Sequence, residues 1–437
     1  MVVTFSVIGV IIGLVLLVIS VFKGANPVAV VPVCAIIVAV TSGLPIVDTM
    51  LDVFPRGFAN MVSVMGMTII SGAFFGKCLI DSGSALSIAD WMADTFGAER
   101  VTWVVLIGVT ILSYGGMGWG AFISLYPIGH LLCSKANYSR DILVGTIVGA
   151  SWTYAMHGPF APTPTNQMMM AAFGTTSTAG LIPGLATSIF MFFATGFYCS
   201  WQAKRWRAKG RGFDSQEALE KDLNIERQKK PNLVIALAPI VAVLILFNVF
   251  TIKVPAALFL GGLICIIINF NVFESPKQWF TVINKGAQEG VGPLVNLAIV
   301  GGFGAVVAIT PFFELILDIV RSISMHPYVL TIFVGELTAL VLGSASSAVA
   351  LTNTTIGPLL MEMTLARGLD LGNVHRLLTL AACGCDSLPH NGTLVSLNAQ
   401  FGTKHRDTYF PVFITTVAIP IVGVFCICLP LALLGFK

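Results

Sequence analysis

Residues 385–393 read CDSLPHNGT, an acid, an imidazole, an amide, a proline and a glycine within nine positions. Apolar stretches lie on both sides: LLTLAAC at 377–383 and LVSLNAQF at 394–401. A proline and a glycine inside a spanning helix interrupt the i→i−4 ladder and free N–H and C=O groups. In lipid each freed group costs several kcal/mol, so such a break survives only where it lines a cavity or is satisfied by a ligand. The stretch therefore predicts a membrane helix over 374–400 that is broken in its middle, at Pro389-His390-Asn391-Gly392, around a binding site.

The rest of the chain supplies the membrane context. Of 437 residues, 56% are hydrophobic and only 10% charged, with a mean hydropathy of +0.89. Soluble domains carry about a quarter charged residues, so this composition predicts an all-α polytopic membrane protein. The net charge of +3 is no signature of nucleic-acid binding. The nine cysteines lie mostly in apolar runs without a CxxC, and read as small packing residues rather than disulfides or metal ligands. The first apolar run, Phe5–Phe22, is long enough to span and lacks a cationic leader, so no cleavable signal is expected.

A span needs about 20 apolar residues. The sequence offers Phe5–Phe22, Val28–Leu44, Phe58–Leu79, Gly180–Cys199, Leu233–Phe250, Ala256–Phe273, Val291–Ile309 and Pro411–Leu434. A second interrupted segment covers 142–173, with its break at His157-Gly158-Pro159 and on through Pro162 and Pro164 to Thr165-Asn166. Two other segments, 101–133 and 329–360, consist of short apolar arms around tips of small residues, SYGGMGWG and GSASS. Arms of about 13–15 residues reach only roughly 20 Å, which predicts re-entrant helical hairpins. The charged segment 204–232 divides the chain into an N-terminal repeat, 1–203, and a C-terminal repeat, 233–437. Arg56-Gly57 corresponds to Lys285-Gly286, Pro127 to Pro358 and His157 to His390, at offsets of 229, 231 and 233. That near-constant offset indicates an internal duplication of the kind found in transporters. If each hairpin returns to the side it entered from, each half has about five crossings and parity inverts the second repeat; twelve full crossings would instead leave the halves parallel. A cytoplasmic linker then leaves 18 of the 24 Lys and Arg inside, as the positive-inside rule expects.

MGMTIISGAFFGKCLIDSGSALSIADWM, the GSASSAVALT hairpin and CDSLPHNGTLVSLNAQFG together resemble the gluconate permease (GntP) family of the ion-transporter superfamily, nearest its hydroxybutyrate-permease-like branch. The resemblance runs over nearly the whole chain, and DSLPHNG is its most specific part. It implies inverted repeats forming scaffold and transport domains and a midplane site. It also implies cation-coupled uptake of a small organic anion by an elevator-like motion, a homodimer, and a bacterial cytoplasmic membrane. Glu336, in VGELTALVLGSASS, departs from the family's sugar-acid carriers and leaves substrate and coupling ion open.

A half-helix N-terminus offers N–H donors and about +0.5 charge to a carboxylate, and a half-helix C-terminus offers carbonyls to a cation. Each break supplies one of each. Candidate substrate-binding residues are accordingly His157, Thr165, Asn166, Gly118, Ser346, Ser347, Asn353, Thr354, His390, Asn391, Gly392 and Thr393. Candidate ion-coupling residues are Asp386, His157, His390 and Glu336, since an ionisable group at membrane depth is expensive and functional by default. Against these stand plainer readings. Membrane Ser and Thr often bond back to the i−4 carbonyl, Asp386 could cap a helix, and Glu336 could pair within its domain. His130, His326 and His405 read as interfacial. No HExxH, GxSxG or P-loop points to an enzyme, and no cofactor or metal is implied. The expected activity is proton symport of a hydroxy- or short-chain carboxylate. A sodium-coupled symporter is the near alternative, and a passive anion channel the more distant one.

Overall fold

The computed structural model describes residues 2–23, 25–114, 119–161, 163–213, 230–250, 252–272, 276–322 and 325–437. Its regular structure is entirely helical among those residues. Helix α1 (Val2–Phe22) pairs with α2 (Pro27–Thr41). A π-helical turn at Thr49–Val53 leads into the long α3 (Phe54–Asp81), followed by the amphipathic α4 (Ser84–Phe96). The first hairpin is α5 (Val101–Leu112) and α6 (Trp119–Ala136). The first broken helix comprises α7 (Asp141–Ser151), one turn α8 (Tyr154–His157) and α9 (Pro164–Phe173). Helix α10 (Leu181–Ala208) ends the half.

The same order then recurs. Paired α11 (Leu233–Asn248) and α12 (Val254–Ile268) precede the long α13 (Pro276–Ala308) and the amphipathic α14 (Pro311–Ser322). The second hairpin is α15 (Pro327–Leu342) and α16 (Ala345–Thr355), extended by α17 (Gly357–Ala366). The second broken helix is α18 (Leu371–Cys385) and α19 (Gly392–Gln400). Helix α20 (His405–Phe413) continues through two π-helical turns to Leu433.

Packing exchanges elements between the halves. Helix α1 lies on α14 and α2 on α13, while α11 lies on α4 and α12 on α3. The long helices α3 and α13 pack on each other over most of their length. Glycine makes that approach close: a Cβ on Gly57 would lie 2.5 Å from Ala305 Cβ, and one on Gly290 2.8 Å from Ile70 Cα. A substitution at either position would force the two long helices apart.

By length and composition four described helices can cross a membrane, or five if the bent pair Ile46–Ser63 and Met65–Asp81 forms one span. Three of the spans expected from hydropathy form shorter helices: α2 and α12 have 15 residues and α11 has 16. The starts fall within two residues of those expected, with Asn26 capping α2, Asn232 capping α11 and Pro255 opening α12. The shortening lies at the C-terminal ends: α2 stops at Thr41 and turns at Gly43 with φ +69°, α11 stops at Asn248 and α12 at Ile268. Helix α10 also runs on to Ala208, past the boundary at 203 that composition suggested.

Candidate functional site

Helix α18 stops at Cys385 because Pro389 cannot continue it, and α19 restarts at Gly392. Asn391 organises the gap. Its Oδ1 accepts the Leu394 N–H (2.8 Å) and caps α19, while its Nδ2 donates to the carbonyls of Asp386 (2.7 Å) and Gly343 (3.1 Å). Gly343 ends the first arm of the second hairpin with φ +59°, and a Cβ there would sit 2.9 Å from His390 Cδ2. One amide thus ties the break to the hairpin tip. The Asp386 carboxylate accepts the Ser387 hydroxyl (2.5 Å) and the Ala345 N–H at the start of α16. An acid is favoured at such a helix N-terminus. Ser344 caps the same helix, its Oγ accepting the Ser347 N–H (3.3 Å).

The first break is built differently. Its helix already gives way at Trp152, and α8 is a single turn before the chain unwinds at Gly158. Asn166 plays the part of Asn391: Nδ2 donates to the carbonyls of Gly158 (3.1 Å) and Ala161 (2.9 Å). His157 Nδ1 lies 3.2 Å from the Thr165 hydroxyl. Helix α18 of the other half then crosses this break. Thr379 donates to the His157 carbonyl (3.3 Å), His375 Nε2 pairs with Asn166 Oδ1 (3.0 Å), and Arg376 Nη1 reaches both that oxygen and the His157 carbonyl.

Two cavities lie beside these breaks. The smaller, about 80 Å³, is lined by Trp152 and Met156 of the first break, Ser344 and Ser346 of the hairpin tip, and Asp386, Asn391 and Thr393 of the second break. Met61, Met65 and Leu297 of the long helices close it. The larger, about 360 Å³, runs between the long helices and the second hairpin, where Asn60, Ser344, Ser347 and Gly392 are among its lining residues. The structure therefore brings Ser346, Asp386, Asn391 and Thr393 to one cavity and Ser347 and Gly392 to its neighbour. Asp386 is the one ionisable group among the described lining residues of either.

The other expected residues lie elsewhere. His157, Thr165 and Asn166 are buried in the network of the first break, and His390 packs behind Gly343 against the Leu340 backbone. Asn353 joins the halves by donating to the Met168 carbonyl (3.3 Å). Glu336 faces Gly384, which precedes the second break, and its Oε1 is buried without a hydrogen-bond partner among the described residues. Gly118 and the side chain of Thr354 lie outside the described residues. Thr355 bonds back to the Leu351 carbonyl (2.7 Å), a purely structural role.

Sequence reasoning missed Arg376, which is completely buried along with its neighbour His375. The signal was present: Arg376 falls within the interrupted segment 374–400, where a cation is costly. Trp152 and Met156 carried none, because apolar lining residues look like any other lipid-compatible residue.

Residues 1–386 match the family model of the GntP family permeases. The transporter YxjC of Bacillus subtilis (strain 168) is 24% identical over 443 residues, covering 92% of this chain and 94% of its own. The gluconate permease of Pseudomonas aeruginosa is 30% identical over 41% of this chain and 39% of its own length. The high-affinity gluconate transporter of Escherichia coli (strain K12) is 28% identical over the same shares. Among solved structures, the Alcanivorax borkumensis YdaH transporter aligns with a TM-score of 0.46 at 12% identity, over 89% of this chain and 88% of that one.

Proposed function

The chain belongs to the GntP family of permeases, and from that premise we propose that it imports a small monocarboxylate into a bacterial cell by proton symport. The observation that carries this reading is Asp386: an acid in an unwound helix, on a cavity shared with the hairpin tip and the other break. The N-termini of α16 and α19 and the hydroxyls of Ser346, Ser347 and Thr393 offer a carboxylate its hydrogen bonds without a fixed positive charge. Asp386 carries the coupling proton. A sodium-coupled version has one specific observation in its favour: the carbonyls of Gly343 and Asp386 converge on a single amide beside that carboxylate, an oxygen-rich set that suits a small cation.

In the same reading the two halves are inverted repeats, each with a re-entrant hairpin and a broken helix around the site. The recurring element order and the exchanged packing of α1, α2, α11 and α12 support this. Helices α3 and α13 belong to a static scaffold, and the hairpins and breaks to a domain that slides along it. The cavities between those two groups of elements support the division. A homodimeric scaffold follows from the family resemblance.

Proteoliposomes test the reading directly. Labelled gluconate and 3-hydroxybutyrate are offered under separate pH and sodium gradients. Accumulation driven by an inward proton gradient alone is expected. Drive by sodium alone would replace the coupling ion, and equilibration without accumulation would make the protein a channel.

A further inference from the structure

Among the described residues Arg376 is the largest fully buried side chain, and no described carboxylate pairs with it. Its five N–H groups are all used, and every acceptor is a neutral oxygen. Nε and Nη2 donate to the Ala179 carbonyl (3.1 and 2.9 Å), Nη2 reaches the Ser177 carbonyl (3.5 Å), and Nη1 donates to the His157 carbonyl and to Asn166 Oδ1 (3.2 Å). The chain is shaped to admit it: a Cβ on Gly180 would lie 2.7 Å from Arg376 Cβ, and one on Gly184 2.9 Å from Arg376 Cδ. The His157 carbonyl is the C-terminal end of α8, the place where a half-helix presents oxygens to a cation.

Among the described residues, the corresponding place in the second break holds no cationic side chain. There the carbonyls of Gly343 and Asp386 share the neutral amide of Asn391, with the Asp386 carboxylate alongside. One break therefore carries a built-in positive charge and the other a negative one. An unpaired buried guanidinium is tolerated only where many dipoles solvate it, and a ring of carbonyl oxygens does that as it would for a metal cation.

We propose that Arg376 is a fixed internal cation occupying the carbonyl end of the first break, so that a mobile monovalent cation binds at the second break alone. Arg376 is then a positioning residue. It holds the two broken helices together and sets the ion count at one per substrate. The assignment rests on the transport reading above, but its thermal test does not depend on knowing the substrate.

Wild-type protein, Arg376→Ala and Arg376→Lys are purified in detergent and unfolded thermally across a methylguanidinium series, with choline at matched ionic strength as control. Arg376→Ala is expected to unfold about 5–10 °C lower, and methylguanidinium, unlike choline, to restore most of the loss with saturation. Wild-type protein is expected to show no such shift, and Arg376→Lys to fall between. An Arg376→Ala protein as stable as wild type, or one that methylguanidinium does not rescue, would overturn the proposal. If that variant fails to fold unaided, folded recovery in the presence of methylguanidinium supports the proposal, and no recovery overturns it. The reversal potential of carboxylate uptake by wild-type protein gives the ion count: one cation per substrate is expected, and two would overturn it. Absence of any carboxylate uptake would strike the transport reading while leaving the thermal rescue to report on Arg376.

Discussion

At the scale of single residues, the site depends on side chains that join non-adjacent backbone segments. Asn391 makes three hydrogen bonds from a position that is 2% exposed. Asn391→Ala removes a helix cap and strands two buried carbonyls, which corresponds to about 2–4 kcal/mol. A fall in the unfolding midpoint together with loss of uptake is the expected result, and unchanged stability would show that the amide does not tie break to hairpin. Asp386→Asn tests a different property. Asparagine keeps an oxygen for the Ala345 N–H and removes the charge, so the variant should stay folded and bind carboxylate. It should no longer accumulate substrate under a pH gradient. Concentrative uptake by this variant would remove Asp386 from proton coupling. The break residues were legible in the sequence because Asp, His, Asn, Pro and Gly are costly in an apolar run. Arg376 was legible as a costly cation inside the interrupted segment, but its partners were not, because carbonyls of the other half leave no mark in the sequence around it.

At the scale of elements, turns and helix ends decide where the polar groups meet. Gly343 holds the hairpin tip in the left-handed region, at φ +59°, with His390 immediately behind it. Gly343→Ala adds about 1 kcal/mol of backbone strain and a clash with the His390 ring. It is expected to lower stability measurably and to displace Ser344 and Ser346, which raises the KM for carboxylate; an unaltered KM would mean that the tip does not contact substrate. Outside the membrane-spanning segments, Asp90 on α4 pairs with Lys135 at the end of α6 and with Lys230 (2.7 Å) at the far side of the linker. Burial opposes ionisation there, but the bonds and charges of the two lysines outweigh it and hold the carboxyl below its ordinary value. A lowered carboxyl pKa stabilises the fold above the ordinary carboxylate pKa and loses that contribution as pH falls through the lowered value. The pair is partly exposed, so about 1 kcal/mol is the ceiling. Asp90→Asn should therefore cost stability at neutral pH and progressively less as pH falls through the lowered carboxyl value, as denaturation midpoints across an acid series will report. Helix existence was readable from hydropathy, and several C-terminal boundaries were not, because a turn such as Gly43 after α2 acts over two or three residues.

At the scale of the whole molecule, Met61 of α3 and Ser344 of the hairpin tip line both cavities, one on the proposed scaffold and the other on the proposed moving domain. With the native cysteines replaced, a Met61→Cys, Ser344→Cys pair joined by a short bifunctional reagent should abolish uptake, and cleaving the reagent should restore it. Full transport by the cross-linked protein would exclude sliding of the hairpin along the long helices.

The helical class, the order of the apolar segments and the places where two of them are interrupted were determined by the sequence alone. Each rests on local chemistry: the length of an apolar run, a proline that lacks its N–H, a glycine at a turn. Tertiary structure alone decided which groups of each interruption reach the shared cavity and which are sealed behind it. Arg376 lies 219 positions from the carbonyl it holds, and Trp152 shares a cavity with Asp386 although both belong to helices broken independently. Such pairings depend on the packing of helices from opposite halves, where a shift of one or two residues along a helix exchanges a lipid-facing residue for a buried one. No pattern within a single segment encodes that choice.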